Sequence, residues 1–344
     1  MPEYRRIILA GGAWGSRSDS LQYGDNMAPS KPNPLRKISK QIQAIMSTHP
    51  VNTPKQKQPT EAKVIGSHED VPATYQEFFR SHSSRAEVFP YAILTPTYET
   101  PDGRITGKLL CAIDHTFYVL EEDETGVVKV CYPIDEINYV EVTHTPSDLF
   151  VRIDGHTHLG VSSSSIFGSS KTNDKIFTPL FQRIRLRINS LNEKAPSRHL
   201  ERLNRWNDAQ ARVMDMARHC LLPGETVIYA ILQTEIRRTL QGVKSPSHTC
   251  ILTDKELVLI REDPSQGRKE PRLTICNFIP LNKIDSLTTN RENDLLTVDI
   301  RQKNGQAFKP LFDISLENEV DQFMARTRKL MPKERTDIRD AMNG

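Results

Sequence analysis

Apolar and polar positions along this chain repeat one pattern twice. In the later occurrence two short apolar runs, Cys250, Ile251, Leu252 and then Leu257, Val258, Leu259, Ile260, flank the polar turn at Thr253, Asp254 and Lys255. After a polar loop come Phe278, Ile279, Pro280, Leu281, Ile284 and Leu287. The earlier occurrence runs Cys111, Ala112, Ile113, then Phe117, Tyr118, Val119, Leu120, and resumes at Cys131, Tyr132, Pro133, Ile134, Ile137 and Val140. Each copy opens on the same four residues, Tyr91 to Leu94 and Tyr229 to Leu232. The spacing between copies is 138 residues at Tyr91/Tyr229, 139 at Cys111/Cys250 and 147 at Pro133/Pro280, so the later copy carries the longer internal loop.

Period-two runs rich in β-branched and aromatic residues predict strands. In the first copy they fall at 88–98, 107–120, 127–132, 137–143 and 149–153, with turns at 101–103 and 124–126. The serine-rich segment 162–170 reads as a loop. Helical spacing of Ile176, Phe177, Leu180, Phe181 and Ile184 predicts a helix over 173–191, kinked or begun at Pro179. A second amphipathic helix over 197–220 connects the copies and stops at Pro223-Gly224. The second copy repeats the strands at 226–238, 247–261, 273–279, 284–289, 295–301 and 307–313. Its helix spans 316–331, capped by Ser315, with Val320, Phe323, Met324 and Leu330 inward. A short helix at 72–80, capped by Asp70, precedes the first copy. The predicted class is mainly β with helices (α+β). The predicted divisions are an arm over 1–68, a module over 69–193, a connector over 194–220, a module over 221–332 and a tail over 333–344. Each copy has strands and a helix of its own, so the two are expected to fold independently.

Charge changes the picture mainly at the N-terminus. The 344 residues carry a net charge of +3, but residues 1–65 hold ten Lys/Arg against four Asp/Glu, which leaves the remainder at −3. The repeated part is therefore not a basic nucleic-acid surface, and no nucleic-acid partner is expected. Six prolines within 28–64 mark a disordered arm, interrupted by an amphipathic island. There Asn33-Pro34 starts a helix over 34–46, with Leu35, Ile38, Ile42 and Ile45 on one side and Arg36, Lys37 and Lys40 on the other. The island predicts weak association with an anionic membrane. The leader before Met27 or Met46 reads as untranslated or disordered, not as a signal peptide. Five scattered cysteines without a C-x-x-C point to a reducing, cytoplasmic compartment.

The residues Leu252-Thr253-Asp254, Leu257 to Ile260, Ile279-Pro280-Leu281 and Ile284 to Leu287, followed by an amphipathic helix, resemble the pleckstrin-homology-like superfamily, in particular its bacterial PH-like and GRAM-like members. The first copy keeps Tyr132-Pro133-Ile134 and Ile137 but has Asp114-His115-Thr116 where the second has Thr253-Asp254. The resemblance covers about 85–192 and 222–331. It implies two tandem β-barrel or sandwich modules, each closed by a C-terminal helix, in a bacterial, non-enzymatic adaptor without a cofactor. Docking of a protein partner is the implied activity, with the inner membrane face as an accessory surface. Family members that bind phosphoinositide do so with basic residues on the first two strands and their loop. The matching positions are Arg237, Arg238 and Lys244 in the second copy, and Arg104 and Lys108 in the first. Adjacent Arg237 and Arg238 face opposite sides of a strand, so at most one aims into a pocket. Two alternatives remain. One is a metal-dependent enzyme or factor using His144, His156 and His158, with His115 as a further ligand. The other is a structural homo-oligomer joined through strand edges.

Overall fold

The computed structural model describes residues 61–83, 89–100, 103–124, 126–145, 147–170, 174–190, 198, 211–238, 242–263 and 273–332. The helix expected at 34–46, most of the connector and the tail lie outside these residues. What is described is mainly β, with antiparallel sheets and few helices.

A strand β1 (Lys63–Ile65) and a helix α1 (Gln76–Ser83) precede the first copy. That copy comprises β2 (Ala92–Leu94), a ribbon β3 (Tyr98–Thr100) and β4 (Gly103–Ile105), then β5 (Lys108–Ile113), β6 (Thr116–Asp123) and β7 (Gly126–Pro133). A 3-10 turn at Ile134–Glu136 leads to β8 (Ile137–His144), β9 (Asp148–His156), β10 (Ser162–Ser170) and helix α2 (Asp174–Ile188). After α3 (Ala211–Cys220) the same order returns. β11 (Val227–Gln233), the ribbon β12 (Ile236–Arg238) and β13 (Gly242–Ser245), β14 (His248–Thr253), β15 (Glu256–Asp263) and β16 (Leu273–Pro280) come first. A 3-10 turn at Leu281–Lys283 precedes β17 (Ile284–Glu292), β18 (Leu295–Gln302), β19 (Ala307–Phe308), β20 (Leu311–Asp313) and α4 (Glu317–Leu330). The correspondence reaches local irregularities. A bulge interrupts β8 between Ile137 and Tyr139, and another interrupts β17 between Ile284 and Ser286, 147 residues later.

The copies are not separate in space. Strand β8 of the first pairs with β16 of the second, from Thr274 opposite His144 to Phe278 opposite Val140. One seven-stranded sheet therefore runs β10-β9-β8-β16-β15-β14-β11 through both copies. A five-stranded sheet, β1-β2-β5-β6-β7, belongs to the first, and a sheet of β17, β18, β19 and β20 to the second. The core crosses the boundary too. Ile93, Leu110, Phe117 and Tyr132 share one buried cluster with Ile251, Val258, Cys276 and Phe278, and with Phe177, Leu180, Phe181 and Ile184 of α2. A second cluster gathers Leu257, Leu259, Ile279, Ile284, Phe323 and Met324, as the apolar pattern predicts, and includes Tyr139 from the first copy.

Several local expectations are corrected. Residues 162–170 are not a loop: all nine pair with β9. Serine is polar but small, and here the strand uses its hydroxyls, since Tyr132 Oη lies 3.0 Å from Ser163 Oγ and 2.9 Å from Ser165 Oγ. Gly168 is required because a Cβ there would sit 2.9 Å from the Phe150 ring. Ser315 does not cap α4; the Asp313 carboxylate accepts from Ser315 N one turn earlier, and α4 follows that 3-10 turn. Asp70 ends its own 3-10 turn and accepts from Ser67 Oγ, while α1 starts at Gln76. Helix α2 begins at Asp174 and continues through Pro179. All five cysteines are free and buried.

Candidate functional site

The residues singled out for lipid or anion binding fall in different places. Arg237, Arg238 and Lys244 share the β12–β13 ribbon: Arg237 pairs with Val243, Arg238 with Gly242, and Lys244 is the extra residue where the register shifts toward Ile236 and Ser245. Their side chains lie outside the described residues, as do Arg36, Lys37 and Lys40. Lys108 in the first copy is not available for a ligand. It is buried and donates to Glu121 Oε2 at 2.7 Å across the β5–β6 pair, an ion pair within the sheet. Arg104 is exposed on β4, its backbone opposite Glu99.

The histidine cluster does not form. His144 ends β8 opposite Leu149, whereas His156 follows Gly155, which pairs with Ile137 at the other end of β8. A strand of this length separates them by about 20 Å at ~3.3 Å per residue. The turn between β8 and β9 sends the chain back along the whole strand, so sequence proximity does not become spatial proximity. Among the described residues no group of three His, Cys, Asp or Glu could hold a metal.

Strong buried electrostatics lies instead between the copies. Arg185 on α2 forms an ion pair with Glu256 at the start of β15, and both are buried. Asn189 donates to Glu256 Oε2 at 3.1 Å, and Arg185 Nη2 also donates to the Cys220 carbonyl at 2.8 Å. The Arg185 guanidinium lies 3.7 Å from the centre of the Phe278 ring. A second buried carboxylate, Glu225, accepts from Leu222 N at 2.6 Å and from Thr253 Oγ1 at 3.0 Å. Burial, followed by the charge of Glu256, pushes Glu225 up to about 8. On the other face of the shared sheet, Asn277 donates to the buried Glu141 at 2.7 Å. Asn304 donates to Asp154 at 3.0 Å and Gln302 to the Asn138 carbonyl at 3.0 Å, and Phe308 meets the Tyr139 ring edge-on at 5.3 Å. The contacts of Arg185, Asn189, Asn277, Gln302, Asn304 and Phe308 join one copy to the other, whereas the hydrogen bonds of Glu225 stay within the second.

The exposed large apolar side chains among the described residues lie elsewhere, on β7, on β10 (Ile166) and on the turn between β9 and β10. Leu159 is 70% exposed and Val161 42%, both on the tight turn between β9 and β10, and Val127 on β7 is 39% exposed. The turn is held in place: Thr157 N donates to Val161 O at 2.9 Å, Gly160 N to Thr157 O at 2.8 Å, and His158 N to Cys131 O on β7 at 3.1 Å. Gly160 has φ +72°, a left-handed conformation that glycine adopts without strain. The hairpin tip thus meets β7 at its Cys131 end, beside His156, whose Nδ1 is 3.9 Å from Glu136. Sequence reasoning missed this surface because the serine run was read as a loop. The available signal was Gly160 at hairpin distance between two segments able to alternate.

Among the described residues no helix is long and apolar enough to cross a membrane. No family model matches the chain, and no curated protein matches it.

Proposed function

We propose that this chain is a non-catalytic docking protein built from two pleckstrin-homology-like modules, and that the β7 edge with the β9–β10 tip is the surface that receives a protein partner. The element order supports the module assignment: in each copy four strands with an inserted ribbon are followed by further strands, three in the first copy and four in the second, and then by a helix. Buried ionisable residues such as Arg185, Glu256 and Glu141 are engaged in joining the copies, a scaffold role and not a chemical one. The observation that carries the docking reading is the held exposure of Leu159, since large apolar side chains grouped on a rigid turn mark an interaction surface. Capture by tagged full-length protein, compared with Leu159→Asp and Val161→Asp, tests it when combined with cross-linking that maps the contact. Loss of the partner in both variants, with cross-links on 127–130 and 156–161 in the native protein, is expected. Unchanged capture, or contacts confined to other faces, would remove this surface from the account.

A further inference from the structure

The joint between the two copies uses one edge from each, and the repeat leaves an equivalent edge in each of the two outer sheets among the described residues. Strand β16 of the second copy corresponds to β7 of the first, and β8 of the first to β17 of the second, both with the 147-residue spacing that aligns Pro133 with Pro280. Strand β16 is paired with β8 inside the chain, whereas among the described residues β7 ends the five-stranded sheet and β17 ends the four-stranded one. An unpaired edge displays backbone donors and acceptors that template another strand.

We propose that the partner of the β7 surface is the β17 edge of a second copy of this chain, docked as β8 docks on β16. This rests on the docking reading above. Moved by 147 residues, the internal register sets Val127 opposite Arg291, Val128 opposite Asn290, Lys129 opposite Thr289 and Val130 opposite Thr288. Residues 288–292 of β17 are exposed. The fifth pair of the internal joint has no counterpart, because Cys131 O already accepts from His158 N and Leu287 O from Arg328 Nη2 at 2.9 Å. Those contacts end the external ladder after four pairs.

Two further correspondences fit this occupant. Within the chain, Asn304 and Gln302, at the turn after β18, reach Asp154 and Asn138 of the other copy. The equivalent turn of the first copy is the one bearing Leu159 and Val161, and the equivalents of Asn138 and Asp154 are Asp285 and Arg301. The apolar tip would therefore cover Arg301, whose side chain is 59% exposed and offers an aliphatic stem. On the helices, Phe177, Leu180, Phe181 and Ile184 match Val320, Phe323, Met324 and Thr327, all buried, which puts Arg328 at the position of Arg185. Arg185 pairs with Glu256 beside the turn at 253–256; the corresponding turn of the first copy presents the exposed Asp114 to Arg328 of the neighbour. Because β7 and β17 are different surfaces, the contact is head-to-tail and leaves an edge at each end, so it extends to trimers and longer rows.

Sedimentation velocity of the full chain over a wide concentration range tests this. The average mass should rise in steps of one chain past the dimer, and Val127→Lys with Leu159→Asp should raise the concentration of half-association by about tenfold or more, with an unchanged thermal melt showing that the fold is kept. Register is tested separately by mixing Lys129→Cys chains with Thr289→Cys chains, since directly opposed strand residues lie within disulfide reach. A mixed dimer that neither variant forms alone is expected. A single-chain mass at every concentration overturns the proposal, as does a two-fold dimer in which Lys129→Cys chains cross-link to one another. If the wild type stays single while Leu159→Asp still strips a different protein from it, self-pairing falls and the docking surface stands.

Discussion

Glu225 and His248 are two buried titratable side chains whose shifts act on different sides of neutrality. Burial pushes Glu225 up to about 8 and His248 down to about 4. His248 Nδ1 lies 3.1 Å from the Pro246 carbonyl and so carries the proton, while its Nε2 has no hydrogen-bond partner among the described residues, which suits a neutral ring. The contribution of Glu225 is complete below its unfolded value near 4.5 and is lost as pH rises toward 8, because only the unfolded carboxyl releases its proton in that interval. The contribution of His248 is complete above its unfolded value near 6.5 and is lost as pH falls toward 4. The two slopes oppose each other between about 4.5 and 6.5, and only Glu225 acts between about 6.5 and 8. Chemical denaturation across that upper interval should show stability falling in the native protein and a flatter profile in Glu225→Gln. An identical decline in both would mean that Glu225 ionises normally. Phe323, fully buried in the second core, gives a simpler test: Phe323→Ala should cost roughly 3–5 kcal/mol by the same denaturation measurement. A loss below about 1 kcal/mol would mean that α4 contributes little to that core.

Among the elements, the strands with continuous or alternating apolar character were legible in the sequence, because burial on one or both faces leaves a direct hydrophobic trace. Leu257, Leu259, Ile279 and Ile284 were placed correctly in the core on that basis. Strand β10 was not legible, because its inward serines are satisfied by Tyr132, a partner thirty residues away that no local pattern announces. Caps failed for a related reason: Asp313, two residues before Ser315, caps a short 3-10 turn that precedes α4. The pairing of β8 with β16 was invisible, since an edge strand does not show in its own sequence which chain segment will cover it. The candidate site at the β9–β10 tip was hidden with β10, since a serine run without apolar alternation does not announce a hairpin. The contact of α2 with the second copy gives the prediction at this scale. Arg185→Met leaves Glu256 buried without its cation and should cost about 3–5 kcal/mol, while Arg185→Met combined with Glu256→Met should recover most of that loss. Equal stability of the single variant and the native protein in urea would show that the pair does not hold the copies together. For the N-terminal arm, co-sedimentation with anionic vesicles at low salt should be stronger for the full chain than for residues 66–344. Equal binding would remove Arg36, Lys37 and Lys40 from any membrane role.

For the whole molecule, the repeat led to an expectation of two units that fold alone, yet one sheet and one buried cluster run through both copies. Cutting the chain between the copies would expose the β8 and β16 edges and leave Glu141, Asn277, Arg185 and Glu256 without their partners. Such a joint makes the pair a single stiff platform, with the Leu159 tip and the β17 edge at fixed positions on it. Rigid presentation of that kind lowers the ordering cost of docking. The most direct test is native-state hydrogen exchange, followed by mass spectrometry through a denaturant series, comparing β5 and β6 of the first copy with β14 and β15 of the second. A shared sheet predicts that the slowest amides of both copies converge on one opening free energy and one denaturant dependence, and that Arg185→Met lowers both together. Two separate opening free energies, with only one copy responding to Arg185→Met, would contradict a molecule built around the β8–β16 joint.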